Sequence, residues 1–259
     1  RAASGLVANS VHYLGGCGTR AGPYPFCEAL LVPSYSLAKS LVGGLGLMRV
    51  ELLHPGALRE LVSGHVPQCS RWNGVTFENA LDMATGRYSS ADDQADENAM
   101  TSSRFFLSTT HADKIDIACT LFPRREAPGR RWVYHTTDTY VLGAALADFW
   151  RDRHGADADF FNDVLVGGIY EPLNLSPTIR ATRRTRDNAR QSFTGWGLTL
   201  TRDDIAKLGA YLATPPQGAP LVAPAPLAAA LQRVPNDRGL VAGGESLRYN
   251  NGFWAYNAQ

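Results

Sequence analysis

The stretch Pro33-Ser34-Tyr35-Ser36-Leu37-Ala38-Lys39-Ser40 places a serine and a lysine three residues apart, directly after a predicted strand and turn. Apolar residues recur at helical spacing from Ser36 to about Leu53, so Ser36 and Lys39 stand at the start of a predicted helix. Positions i and i+3 share one helix face, and the lysine amine can therefore reach the serine hydroxyl. The positive potential of a helix N-terminus predicts a lowered pKa for Lys39. A neutral amine can accept the serine proton, so the pattern predicts an activated nucleophile.

The composition narrows what else the chain can be. It has 259 residues, with 25 basic and 24 acidic side chains and a formal net charge of +1. That balance gives no reason to expect binding to nucleic acid. No apolar run reaches the length of about 18 residues that a transmembrane helix needs. Only three of the basic residues are lysines, namely Lys39, Lys114 and Lys207. Because a lysine can lose its proton and an arginine in practice cannot, Lys39 is the basic residue in a chemically suggestive position. The alternative is a solvated lysine one turn after a capping serine.

The rest of the chain is predicted to be mainly helical, with strands near both ends. A short apolar run at 27–33 and an aromatic stretch at 252–256 are typical of strands. Capping residues and apolar periodicity predict further helices at 76–86, 112–121, 138–155, 160–170 and after Thr201. Glycines between positions 43 and 46 predict close packing of the first helix. The acidic stretch at 91–103 and the Pro/Ala-rich stretch at 214–226 are predicted to be surface segments.

Several segments together resemble the superfamily of serine β-lactamases and penicillin-binding proteins, most closely its class C-like branch. That branch includes class C β-lactamases, β-lactamase-like esterases, D-alanyl-D-alanine peptidases and 6-aminohexanoate-oligomer hydrolases. Its first box is S-x-x-K, here Ser36-Leu37-Ala38-Lys39. The other similar segments are 74–86, 128–143, 171–175, 195–198 and 201–204. They extend over about residues 31 to 213, and the joint match is specific although no single segment is.

The resemblance implies an α+β fold of the β-lactamase/transpeptidase type, with an antiparallel sheet flanked by helices plus a helical lobe. We expect a single domain over residues 1–259, with the helical lobe at about 50–200. The third box of the family, K-T-G or H-x-G, has no counterpart here, since Lys207 lies inside a predicted helix and His154 closes one. We expect this box, with further C-terminal strands, just beyond Gln259.

The resemblance also implies roles for individual residues. Ser36 is the expected nucleophile and Lys39 the group that activates it. Tyr134 begins the second box, Tyr134-His135-Thr136, and is the expected general base and acid partner. A phenol beside a lysine ammonium can ionise more readily, which suits a proton shuttle. Thr136 stands where the family has Asn or Ser, and we expect Thr136 and His135 to contact substrate.

Two other sets of residues are candidates for a role in catalysis or substrate binding. Glu171 superficially resembles the deacylating glutamate of class A β-lactamases, but its Pro-Leu neighbours fit the class C-like turn better. Five arginines, Arg180, Arg183, Arg184, Arg186 and Arg190, form a basic stretch. A solvated surface is the default interpretation, and recognition of a substrate carboxylate is the alternative.

The four cysteines are informative about metal binding, disulfides and cellular location. They show neither C-x-x-C nor zinc-finger spacing, so no structural metal is expected. Cys17 and Cys27 bracket a Gly/Pro-rich loop, and both a disulfide and free thiols stay open. We expect a periplasmic or secreted protein, with a cytoplasmic location as the alternative.

The predicted function is that of a serine hydrolase that forms an acyl-enzyme with a small-molecule substrate, namely a β-lactam, an ester or an amide or peptide. No metal or organic cofactor is expected, and the oligomeric state is open. The alternative is a catalytically inactive penicillin-recognising scaffold or binding protein.

Overall fold

The computed structural model describes residues 5–9, 11–214 and 218–256. Its strands form small antiparallel groups in which β1 pairs with β2, β3 with β4, β5 with β6, and β8 with both β7 and β9. The strands are β1 Gly5–Ala8, β2 Val11–Leu14, β3 Gly18–Thr19, β4 Gly22–Pro23, β5 Val32–Pro33, β6 Thr199–Leu200, β7 Leu240–Val241, β8 Leu247–Asn250 and β9 Phe253–Tyr256.

Helices supply most of the regular structure between these strands. The α-helices are α1 Leu45–Leu53, α2 Val62–His65, α3 Phe77–Leu81, α4 Ala95–Asn98, α5 Met100–Leu107, α6 His111–Thr120, α7 Thr136–His154, α8 Arg202–Ala213 and α9 Pro224–Ala230. A π-helical segment, Lys39–Gly44, leads into α1, and a second one covers Phe160–Tyr170. Short 3₁₀ turns occur at Cys27–Ala29, Ala57–Arg59 and Pro67–Cys69.

Helix α7 forms the centre of the core. It packs against α2, α3, α6 and the second π-helical segment, and its residues from Thr136 to Ala147 are all buried. Burial of a large apolar side chain contributes about 1.5–3 kcal/mol, so a helix enclosed in this way is a rigid platform. Its first residue, Thr136, belongs to the second predicted catalytic box.

The predicted nucleophile is held by packing on the other side of the core. Strand β5 pairs with β6, and the Ser34 N–H extends this pairing by donating to the Leu198 carbonyl at 3.0 Å. The chain then enters the π-helical segment, where Gly44 lies so close to the Asn251 carbonyl that an added Cβ would be 3.0 Å from it. At Gly46 an added Cβ would lie 2.7 Å from the Phe160 ring. The close packing predicted from the glycines at 43–46 is confirmed.

Local sequence signals account for the helix starts. The Thr76 hydroxyl accepts a hydrogen bond from the Asn79 N–H while the Asn79 side chain accepts one from the Thr76 N–H. Thr201 and Asp204 form the same reciprocal cap at the start of α8. Such caps satisfy backbone donors that a helix leaves unpaired, which explains why these two starts were predictable.

Four of the predicted segments differ from the structure, and the first is the helix expected at 76–86, which ends at Leu81. The strand expected at 27–33 is reduced to the two residues of β5, because a 3₁₀ turn occupies Cys27–Ala29. The surface connection expected at 214–226 ends in α9, which begins at Pro224, and Val222 is buried beside it. The segment at 91–103 contains α4 and the start of α5, and its Asp96 is buried.

Two disulfides join the described cysteines. Cys17 bonds to Cys27, the pair left open by the sequence, and Cys69 bonds to Cys119 across a separation of 50 residues. The second disulfide lies in the core, where Trp72 also donates a hydrogen bond to the Cys119 carbonyl at 3.0 Å. It ties the turn at Pro67–Cys69 to the end of α6.

Within the described ranges, no helix combines the length and the apolar character needed to cross a membrane. The single-domain boundary and the extent of the helical lobe stay predictions.

Candidate active site

Ser36 is exposed at the turn between β5 and the first π-helical segment. The residue before it, Tyr35, has a φ of 44°, in the left-handed region that a non-glycine residue seldom adopts. Backbone strain of this kind is concentrated at functional sites, where the surrounding structure holds it in place. Among the described residues, none accepts a hydrogen bond from the Ser36 N–H. This donor is therefore free to meet a ligand oxygen beside the Ser36 hydroxyl.

Lys39 lies one turn further on, with its amine at the base of the site. Its Nζ donates hydrogen bonds to Ser36 Oγ at 3.3 Å and to Thr136 Oγ1 at 2.8 Å. The side chain is almost fully buried. Burial lowers the pKa of Lys39 to about 8, against the opposing attraction of the Glu97 and Asp138 carboxylates. The lowered pKa agrees with the sequence prediction, but burial rather than the helix N-terminus is its main cause.

Tyr134 approaches Ser36 from the segment that precedes α7. Its hydroxyl donates to Ser36 Oγ at 2.5 Å, and Lys39 Nζ lies 4.7 Å from the centre of its ring. Burial raises the pKa of Tyr134, although the hydrogen bond with Ser36 acts in the opposite direction. Burial is the largest influence on the pKa of Tyr134 and acts against the easier ionisation expected beside a lysine ammonium. The raised pKa keeps Tyr134 a neutral phenol whose hydroxyl donates to Ser36 Oγ.

Thr136 links the lysine to an acidic residue that the sequence did not single out. Its hydroxyl accepts from Lys39 Nζ and donates to Glu97 Oε1. The Thr136 N–H donates to Glu97 Oε2 at 2.9 Å. Both contacts bring α4 against the first residue of α7. Thr136 thus faces the predicted machinery.

His135 is placed differently from its neighbours. The imidazole is fully buried, stacks on Phe122 with ring centres 4.1 Å apart, and lies between the carboxylates of Asp96 and Asp138. Burial opposes its positive charge, but Asp138 and Asp96 outweigh burial and raise the pKa of His135 to about 9. The predicted contact of His135 with substrate has no support from this position, because the ring has no exposed surface. Its neighbours instead make it part of the support beneath the site.

Gly195 closes the site from the segment before β6. A Cβ added there would lie 2.6 Å from Thr136 Cγ2, 3.0 Å from Thr139 Oγ1 and 3.6 Å from Lys39 Nζ. The absence of a side chain at Gly195 therefore lets this backbone pack directly on the lysine and Thr136.

The competing residues have other partners. Glu171 is exposed and pairs with Arg180 at 3.4 Å. Arg184 makes a bidentate pair with Asp159 at 2.7 and 2.8 Å. Arg183 lies above the Phe193 ring, at 5.8 Å from its centre. None of these contacts joins the group around Ser36.

The sequence interpretation missed Asp96 and Glu97, which it assigned to a solvated surface. Asp96 accepts hydrogen bonds from the N–H groups of Ser89 and Ser90 at 2.7 and 2.9 Å, and from His135 Nε2 at 3.1 Å. Burial alone would raise the pKa of Asp96, but these hydrogen bonds outweigh burial and lower it. No local pattern distinguishes these two acids from Asp92 and Asp93 in the same stretch, since the side chains that tie them to the site, His135 and Thr136, lie 39 residues away.

One group of potential metal ligands lies outside this site. His65, Asp148 and Asp152 place their ligand atoms within 4.8 Å of one another. His65 Nδ1 and Asp148 Oδ2 are already joined by a hydrogen bond of 3.0 Å. This hydrogen bond is enough to explain the arrangement, and the expectation of a protein without a metal stays a prediction.

Solved structures show which fold this is. The chain superposes on a candidate 6-aminohexanoate-dimer hydrolase from Bacillus anthracis with a TM-score of 0.66 and 15% identity, covering 96% of this chain and 64% of that one. It matches EstCE1, a hydrolase with promiscuous acyltransferase activity, with a TM-score of 0.63 and 17% identity over 96% of this chain and 75% of that one. It matches a penicillin-binding protein from Bacillus halodurans with a TM-score of 0.64 and 15% identity, over 99% and 79% of the two chains.

These similarities confirm the expected α+β fold of the β-lactamase/transpeptidase type. Solved structures with this fold include hydrolases, one of them with promiscuous acyltransferase activity, and penicillin-binding proteins. The chain spans about two thirds of the length of the first of them. Neither a family model nor a curated protein matches the sequence.

Proposed function

We propose that this chain is a serine hydrolase that forms an acyl-enzyme on Ser36. The observation that carries the proposal is the convergence of two proton-carrying groups on one exposed hydroxyl. Ser36 Oγ lies 3.3 Å from Lys39 Nζ and 2.5 Å from the Tyr134 hydroxyl. A nucleophile within reach of both a base and an acid is the arrangement that acyl transfer needs.

In the acylation step, the neutral form of Lys39 accepts the Ser36 proton as Oγ attacks the substrate carbonyl. With a pKa of about 8, a usable fraction of Lys39 is neutral near neutral pH. Tyr134, a neutral phenol, gives its proton to the leaving alcohol or amine as the bond to the carbonyl carbon breaks. It recovers a proton from the Lys39 ammonium, so the products are the Ser36 ester and a neutral leaving group.

Deacylation follows the same route in reverse. Water takes the place of the leaving group and attacks the ester carbonyl while Lys39 and Tyr134 accept and return its proton. The free N–H of Ser36 supplies one donor to the oxyanion that forms in both steps. A second donor, from the third box of the family, stays a prediction.

The substrate is proposed to be a small molecule with an activated or strained carbonyl, namely a β-lactam, an ester or an amide or peptide. These substrates share one acyl-enzyme mechanism and differ in the groups that the pocket walls must accept. Proteins of this fold include a candidate 6-aminohexanoate-dimer hydrolase and a hydrolase with promiscuous acyltransferase activity.

Export to the periplasm or the exterior is the proposed location. Two disulfides support it, because cytosolic thiols are kept reduced and disulfides persist mainly in oxidising compartments.

The experiment compares the full-length protein with its Ser36→Ala variant on a chromogenic cephalosporin, a p-nitrophenyl ester and a p-nitroanilide. We expect the full-length protein to hydrolyse at least one of the three and Ser36→Ala to lose at least 1,000-fold of that activity. Ser70→Ala, at an exposed serine on the turn after Cys69, is the matched control and is expected to stay fully active.

Full activity in Ser36→Ala would remove Ser36 as the nucleophile. Failure of the folded full-length protein on all three substrates would favour the alternative of a catalytically inactive scaffold.

A further inference from the structure

Glu97 occupies a position that links three elements of the site. Its Oε2 accepts from the N–H of Thr136, at the first residue of α7, and its Oε1 accepts from the Thr136 hydroxyl. That hydroxyl in turn accepts from Lys39 Nζ at 2.8 Å. A single carboxylate therefore orients Thr136 at two points. With its proton directed to Glu97, the Thr136 hydroxyl oxygen is left to accept the hydrogen bond from Lys39.

The carboxylate is itself held firmly by its neighbour. Asp96 is buried and is fixed by His135 and by the N–H groups of Ser89 and Ser90. Its carbonyl also accepts from the Ser102 hydroxyl at 2.6 Å. Because the residue before Glu97 is fixed on two sides, Glu97 does not depend on a mobile loop for its contact with Thr136.

We propose that Glu97 is a positioning residue that acts through Thr136 to hold Lys39 beside Ser36 and to set the pH at which Lys39 becomes a base. The inference concerns how the proposed hydrolase is tuned, and rests on that function for its kinetic consequence only. The observation that supports the proposal is the chain of hydrogen bonds from Lys39 Nζ through the Thr136 hydroxyl to the Glu97 carboxylate.

The charged groups around Lys39 indicate that Glu97 is the one that can change the protonation of this lysine. The charged groups that act on it are Glu97 from α4 and Asp138 from α7. Tyr134 faces it as a neutral ring, and His135 lies behind Asp138. Gly195 adds no side chain beside the amine. Asp138 is engaged by Thr85 at 3.0 Å and by His135, whereas Glu97 reaches the amine through a single hydroxyl.

The Glu97→Gln variant removes the charge and keeps the shape. The amide oxygen can still accept from the Thr136 N–H, and the amide nitrogen can donate to the Thr136 hydroxyl. That hydroxyl is then free to donate to a neutral lysine amine, so both the lost charge and the reversed hydrogen bond favour the neutral form of Lys39. An opposite charge at this range raises a lysine pKa by about one to three units.

The test follows the titration of lysine directly. Protein labelled with ¹³C at the lysine ε-carbon gives one signal per lysine, and the signals of Lys39, Lys114 and Lys207 are assigned by their loss in Lys39→Arg, Lys114→Arg and Lys207→Arg. We expect the midpoint of Lys39 to fall by about one unit or more in Glu97→Gln, while that of Lys114 stays unchanged. Glu97→Asp, which keeps the charge, and Thr136→Ser, which keeps the hydroxyl, are expected to stay within about 0.3 unit of the unmodified protein.

Kinetics supply the second measurement, as kcat/KM for p-nitrophenyl ester hydrolysis against pH. The acid limb is expected to move to lower pH in Glu97→Gln by the same amount as the NMR midpoint. Glu171→Gln, at an exposed glutamate paired with Arg180, is the matched control with no shift.

An unchanged or raised Lys39 midpoint in Glu97→Gln overturns the proposal, and so does a fall of equal size in Glu97→Asp. A purely structural role for Glu97 predicts loss of thermal stability without a change in midpoint. If the unmodified protein hydrolyses none of the three test substrates, the proposed function fails, and the NMR midpoint still decides the role of Glu97.

Discussion

Gly195 is the position at which one added methyl group tests the packing of the site. In Gly195→Ala the new Cβ would lie 2.6 Å from Thr136 Cγ2, about 1 Å inside the normal contact distance between carbon atoms. It would also meet Thr139 Oγ1 at 3.0 Å and Lys39 Nζ at 3.6 Å. Gly195 has no positive φ, so alanine fits its backbone and the effect comes from packing alone.

Overpacking of this degree costs about 1–3 kcal/mol of folding stability. At about 2–4 °C per kcal/mol for a chain of this size, Tm is expected to fall by about 2–12 °C. Because Thr136 and Lys39 are the groups displaced, kcat/KM for ester hydrolysis is expected to fall by about 10- to 100-fold.

Differential scanning calorimetry and steady-state kinetics measure the two effects. Gly209→Ala is the matched control, since it lies in α8 with nothing within 4 Å of the added Cβ. Alanine there is expected to stabilise the helix by up to about 1 kcal/mol and to leave kcat/KM unchanged. A Gly195→Ala protein with unchanged Tm and kcat/KM would refute the packing described for the site.

Three further predictions follow from buried groups. The value of kcat/KM is expected to rise with pH through an inflection near 8, because only neutral Lys39 is a base, and a pH-independent rate between 6 and 9 would contradict this. Replacing Cys69 and Cys119 together by alanine is expected to reduce the free energy of unfolding by about 4 kcal/mol, because the disulfide closes a loop of 50 residues in the unfolded chain. Urea denaturation measures this loss, and a loss below about 1 kcal/mol would argue against the disulfide. His135→Phe is expected to destabilise the protein by about 3–5 kcal/mol at pH 6.5 by leaving Asp96 and Asp138 unpaired. The pKa of His135 is about 9 in the folded protein and 6.5 in the unfolded chain, so its stabilising contribution is complete below pH 6.5 and is lost as the pH rises through 9. A difference in unfolding free energy between the two proteins that grows with pH would contradict the assignment.

Local signals explain which parts of the molecule were predictable from the sequence. Thr76 and Thr201 each have their capping partner three residues later in the sequence. A short local pattern is therefore enough to predict the starts of α3 and α8. Ser36 and Lys39 are one helical turn apart and are neighbours in any helix. The position of Tyr134 came from the resemblance, because nothing within its own segment ties it to Ser36, 98 residues earlier.

The remainder of the site depends on contacts between distant segments. Glu97 and Thr136 are 39 residues apart, and the acidic stretch around Glu97 looks like a solvated surface when only composition is considered. The same limit applies to Cys69 and Cys119, whose pairing follows from the packing of α6. The sequence also places a lysine near Tyr134 without showing the burial that raises the pKa of this tyrosine.

The central claim is that Ser36 is the nucleophile, and covalent labelling tests it most directly. The folded, full-length protein is incubated with a fluorophosphonate, reduced, and cleaved with trypsin to give the peptide covering residues 21–39. The account predicts one adduct, located on Ser36 rather than Ser34 by fragmentation and absent from the Ser36→Ala protein. An adduct on any other residue, or a folded protein that gains none, would contradict it.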